Sequence, residues 1–301
     1  MANSEALKNL VRPPFANYDI VVYFGCGLFA LPFIQHYFVE PFQLRFPKFE
    51  FAPTIPVAGP VISTLLLLFS VYIVGHMIAY LGSQVIEKTM DALFGKASEV
   101  VLATSAATEA TRDAIIRHQL STRTKTTLEN AKTVTAVRTI FHLPVLIFYV
   151  PIVWLGVFGF YGSRVPPQVF EAARGKMGCI PGVEIKEGGG WFKTLEACVL
   201  NSNPVATARM YNYLLIAGLF RSMAMIFLAS LWAELYYLVD RIFTGHLHVG
   251  FLMTEKLTWG AQLWGYLLLS VFYLFSLFSY LKFQRRYVED AIFAFAVANE
   301  G

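Results

Sequence analysis

Charge is what this chain has least of. Asp, Glu, Lys and Arg make up only 15% of its 301 residues, against about 25% in an ordinary globular protein. Between Phe51 and Ile86 there is none at all. A water-soluble core rarely contains so long an uncharged run, because about twenty apolar residues, at roughly 1.5 Å of rise each, already cross the hydrocarbon of a bilayer. Cysteine is sparse too, with three residues. The loop that holds Cys179 and Cys198 has no His, so a structural zinc site with its four ligands is excluded there. The surplus of basic residues is small, 24 Lys and Arg against 20 Asp and Glu. They are scattered over several loops with no strip of interleaved aromatics, which argues against nucleic acid as a partner.

Catalytic signatures are missing as well. There is no Gly-x-Ser-x-Gly elbow, no His-Glu-x-x-His and no close acidic set suited to Mg²⁺. Gly95-Lys96-Ala97-Ser98 resembles the end of a phosphate-binding loop, but it lacks the upstream glycine and the preceding strand. Enzymatic activity is therefore left unassigned, and the reading leans towards a protein without one.

What is present is apolar and aromatic: 56% hydrophobic residues and 16% Phe, Trp and Tyr. Five stretches predict transmembrane helices at 18–39, 56–86, 139–163, 209–238 and 257–281, making the chain an all-α integral membrane protein with one polytopic domain over 1–301. Pro32 should kink the first. Met1–Asp19 has no basic region followed by an apolar core and a small-residue cleavage site, so the first span is expected to act as its own insertion signal. Two connections are long enough to fold. The first, 87–137, predicts an extramembrane helical loop with Ser98 as a candidate N-cap. The second, 164–208, carries Pro166-Pro167, Pro181-Gly182 and Gly188-Gly189-Gly190, which predict an extramembrane loop built of turns. Lys and Arg divide almost equally between the two sides, leaving orientation unset. A bacterial inner membrane and a mitochondrial inner membrane fit equally well.

A few residues interrupt this pattern. On the second span His76, Tyr80, Gln84 and Glu87 recur at helical steps of three and four, a polar stripe along one face. Such a stripe is either a hydrogen-bonded seam against neighbouring helices or the lining of a proton or ion path. Arg221 interrupts the fourth span and needs a partner from another helix, another chain, a lipid phosphate or the His76 stripe. Glu234, thirteen residues on, is about 220° around the helix and cannot serve. Cys179 and Cys198 share one loop and either form a disulfide or stand as two free thiols. No metal or cofactor is assigned, although His76 and His142 are candidate axial ligands of a haem, and bound lipid is expected. His246 and His248 read as solvated interfacial residues.

Three functional classes remain open at this level. The first is a noncatalytic structural or accessory subunit of a larger membrane complex, with Gly156, Gly159 and Gly162 packing on partner helices. The second is an oligomeric channel or pore lined by the second span. The third is a haem- or quinone-binding electron-transfer protein. The expected partners are the lipid bilayer and either other membrane subunits or copies of the same chain.

Overall fold

The structure, a computed structural model, describes residues 18–39, 58–105, 140–145, 165–180, 191–245 and 259–298. Among them there are helices and no strands. Helix α1 (Asp19–Tyr37) opens and closes in π-helical turns, Asp19–Gly25 and Gln35–Val39. Helix α2 (Ala58–Gly82) leads through a further π turn, Ser83–Glu87, into α3 (Lys88–Phe94). Gly95, at φ +85°, ends that run, and α4 (Ala97–Ser105) follows. Then come α5 (Pro167–Gly178), α6 (Phe192–Ser202), α7 (Pro204–Thr244) and α8 (Trp259–Val297). Four stretches are long and apolar enough to cross a membrane: α1, α2 with its continuation, α7 and α8. The protein is membrane-embedded.

Local chemistry sets the ends of α7. Asn203 Oδ1 accepts from the Ala206 N–H at 3.0 Å, and Pro204 takes the first helical position, where its missing N–H costs nothing. At the other end Gly245 adopts the left-handed conformation, φ +72°, and its N–H closes on Arg241 O at 3.0 Å.

Aromatic contacts fix the direction of packing. Tyr18 reaches Gly218, Phe33 meets Phe227 at 5.8 Å, and Tyr37 donates to Glu234, so α1 runs parallel to α7. Phe227 stacks on Phe272 and Tyr213 on Phe283, so α8 runs antiparallel to α7. At 41 and 39 residues these two helices are each about 60 Å long, twice the roughly 30 Å hydrocarbon thickness. Their extra length carries a second core. One cluster of buried side chains joins α1, α2, α3, α7 and α8 across the bundle. The other gathers Val101 and Leu102 of α4, Phe170 and Met177 of α5, Leu195 and Val199 of α6, Met210 of α7 and Ile292 of α8 into a helical cap at one end.

Two expectations are corrected. The described residues of 164–208 are mostly helical and not a run of turns. Phe170, Ala173 and Met177 in α5, and Phe192, Leu195 and Val199 in α6, fall on one helical face each and are buried in the cap. Pro166-Pro167 starts α5 as its N-cap and first residue. Helices are present in 87–105, but α4 begins at Ala97, and Lys96 O accepts its first backbone bond from Val100, so Ser98 lies inside the first turn and does not cap it. Of the five predicted spans, four correspond to helices long and apolar enough to cross a membrane, and the other, 139–163, lies mostly outside the described residues. Of that segment, 140–145 is described, and a turn at His142 followed by the 3₁₀ turn Leu143–Val145 occupies it; the remainder, including Gly156, Gly159 and Gly162, lies outside the described residues, as do His246 and His248.

The tightest contact in the bundle is the crossing of α1 and α2. A Cβ added to Gly75 would lie 1.7 Å from Tyr23 O, and one added to Gly27 would lie 1.9 Å from Val71 O. Small residues here let two backbones touch, the usual device for helix association where lipid removes the hydrophobic drive. Gly75→Ala is therefore expected to cost more than about 2 kcal/mol, because the obstructing atoms are backbone and cannot swing aside. Gly175→Ala, at an exposed helical site with nothing within 4 Å, should instead be neutral or add up to about 1 kcal/mol. Thermal midpoints of the two variants in one mild detergent test the contrast.

Candidate functional site

The polar residues of the second span do not keep to one face. From Ala58 to Gly82 the helix turns with ordinary spacing and buries Val71, Gly75 and Ala79, leaving His76 and Tyr80 on the uncovered flank. The π turn at Ser83–Glu87 then inserts an extra residue and changes the face presented by everything after it. Gln84 stays outside, accepting from Lys88 Nζ at 2.7 Å. Glu87 is turned inwards instead, and Arg221 Nη1 of α7 donates to its Oε2.

This pair supplies the partner that Arg221 requires. The Arg221 backbone and the base of its side chain lie against Gly82: a Cβ there would sit 3.4 Å from Arg221 O and 3.5 Å from its Cγ. The Arg221 side chain is 14% exposed and that of Glu87 34%, so the pair is half-sheltered on the carboxylate side. A cavity of about 230 Å³ lies next to it, between the bundle and the cap. Glu87, Asp91, Lys96 and Ser98 line one side, Tyr280, Gln284 and Tyr287 the other. Tyr287 donates to Glu196 of α6, tying the cap to the same wall. One turn further along α8, Arg285 and Glu289 approach to 3.5 Å with both side chains almost completely buried. The space suits several waters held by charged and hydroxyl groups. Chemically it is a polar junction between the bundle and the cap, lined by ionised, amide and hydroxyl side chains.

Glu234 occupies the other end of the bundle. Tyr37 Oη donates to its Oε1 at 2.7 Å, and Tyr237 Oη donates to Tyr37 O at 3.2 Å. Arg221 and Glu234 therefore belong to separate networks, as their angular separation requires.

His76 packs edge-on against Tyr23 at 4.4 Å. His142 is buried beside Phe141, whose carbonyl accepts from Trp232 Nε1 at 2.7 Å. Cys26, Cys179 and Cys198 are all free thiols, so the pairing of Cys179 with Cys198 is not formed. Cys179 sits just past the end of α5, where its Sγ turns back to Gly175 O, and Cys198 lies on α6. Among the described residues no group of three or more His, Cys, Asp or Glu is placed to hold a metal ion.

Sequence reasoning offered the polar stripe that holds Glu87 as one of several candidate partners of Arg221 without singling out Glu87, and it missed Lys96, Tyr280, Gln284 and Tyr287 around the same cavity. The available signal was the coincidence of one acidic residue at the end of one span with one basic residue inside another. No protein-family model, no curated protein and no solved structure matches the chain.

Breaking the pair from one side leaves a charge without its counterion. Arg221→Met should cost about 3 kcal/mol, and Glu87→Gln combined with Arg221→Met should recover most of that loss. A double-mutant cycle on unfolding in detergent, at fixed pH and ionic strength, measures the coupling directly.

Proposed function

We propose that this chain is a noncatalytic subunit of a larger membrane assembly and docks on its partner through the outer flank of α2. The observation that carries this reading is the position of His76 and Tyr80. Both project away from the bundle, Tyr80 with 62% of its surface uncovered. Tyr18, Tyr23 and Tyr72 cluster beside His76, with Tyr23 and Tyr72 edge-to-face at 6.0 Å. An aromatic belt at the headgroup level would keep to one depth. This patch extends from Tyr72 to Tyr80, about 12 Å along the helix, which a helix–helix interface accounts for better.

The rest of α2 agrees. Only 11% of the most apolar stretch of this span is buried, against 56% in α7. Lipid covers Leu65, Leu67 and Phe69 adequately, because they ask for nothing but hydrocarbon. An imidazole and a phenol ask for hydrogen-bond partners, and polar side chains of a second chain supply them. The partner is accordingly a transmembrane helix offering donors and acceptors at the depth of His76 and Tyr80.

The same flank would face inwards in a ring of identical copies, which keeps the pore reading as the specific alternative. Native mass spectrometry after gentle extraction separates the two. A heteromeric mass for the wild type, falling to the monomer for His76→Leu with Tyr80→Leu at unchanged thermal midpoint, is the expected result. A homo-oligomer lost in the same variant would favour the pore, and a wild type that is already monomeric would remove both readings.

A further inference from the structure

A second, larger concavity lies far from the charged junction, along the face shared by α1, α7 and α8. It encloses about 1130 Å³ and is open along one side. We propose that this groove is a binding site for a single amphiphile with a long hydrocarbon tail and a small uncharged head bearing a hydroxyl or carbonyl group.

The floor is aromatic and continuous. Phe227 forms its centre, with Phe29 at 5.9 Å, Phe33 at 5.8 Å and Phe272 at 5.6 Å between ring centroids. Helix α8 keeps its own side shallow. Gly265 lines the groove, and a Cβ built on it would touch nothing within 4 Å, so the absent side chain is open volume and not a packing contact. A bilayer-facing surface has no need of such a recess, since acyl chains cover a convex helix equally well. The volume slightly exceeds the 300–1,000 Å³ of ordinary ligand pockets and matches an extended tail.

One end of the trough is polar. Glu234 and Gln262 line it, each at least 96% buried, together with Tyr37. Tyr37 Oη donates to Glu234 Oε1 at 2.7 Å, and Arg241 Nη1 donates to Gln262 Oε1 at 3.0 Å. Arg241 is itself held over the Trp259 ring at 4.3 Å. With its oxygen engaged by Arg241, the Gln262 amide presents N–H groups, which suit a carbonyl. Glu234 supplies carboxyl oxygens, which suit a hydroxyl and repel a phosphate. Apolar walls with a few convergent polar groups at one end are what orient a ligand of this class. Two membrane sources share the chemistry, a diacylglycerol and a reduced prenylated quinone.

Titration of the intact detergent-purified protein with dioleoylglycerol, decylubiquinol or phosphatidylglycerol, read by native mass spectrometry, tests the assignment. The expected result is one saturable adduct with at least one of the two neutral probes, whichever source applies, and none with phosphatidylglycerol. Gly265→Phe should weaken that adduct by about tenfold or more without moving the thermal midpoint. Leu268→Trp, which fills the trough from an already exposed position, should do the same and stands in if the first variant does not fold. Glu234→Gln should reduce the preference for neutral heads over the anionic one. Unsaturable adducts of all three lipids, equal in wild type and filled variants, would mean annular lipid only and overturn the proposal. A saturable adduct that survives both filling substitutions, or one selective for phosphatidylglycerol, would overturn it equally.

Discussion

The antiparallel contact between α7 and α8 governs everything else in the molecule. Each helix is about twice as long as a bilayer is thick, and they remain in contact from the Arg241–Gln262 hydrogen bond at one end to the Arg209–Asp290 pair, 3.5 Å apart, at the other. The bundle core and the cap core are therefore two ends of one continuous pair of helices. α1 and α2 add to the first, and α4, α5 and α6 to the second.

Much of this was legible from residue order alone, for a definite physical reason. An uncharged run of twenty or more residues has one stable environment, so the first, second and fifth predicted spans correspond to observed helices, and the fourth does too although Arg221 and Glu234 interrupt it. Their ends were less legible. Charged residues such as Arg209 and Arg285 mark where lipid stops, but the helices continue into the cap, where hydrogen bonding no longer depends on hydrophobicity. The segment 164–208 was misread because Pro and Gly were weighted above the spacing of Phe170, Ala173 and Met177. Proline at a first helical position is a start signal, and Pro166-Pro167 stands where a start is needed.

The site was less legible still. A helical wheel assumes constant twist, and on that assumption His76, Tyr80, Gln84 and Glu87 share a face. The π turn breaks the assumption after Gly82, sending Glu87 to Arg221 and leaving His76 and Tyr80 outside. Nothing in Ser83-Gln84-Val85-Ile86-Glu87 announces a wider turn, since the cause is tertiary: the Arg221 guanidinium and the close approach of α7 to Gly82 draw the chain inwards. Burial of Arg221 beside Gly82 and the extra residue in the π turn are two aspects of one accommodation.

That wider turn also sets an angle. Winding the same five residues, Ser83 to Glu87, at the ordinary helical 100° each would swing α3, Gly95 and α4 by roughly a quarter of a revolution about the axis of α2. Val101 and Leu102 would then point away from α8 while the bundle stayed as it is. Five residues thus act as the clutch between the two cores, and the orientation of the cap is decided before α3 begins.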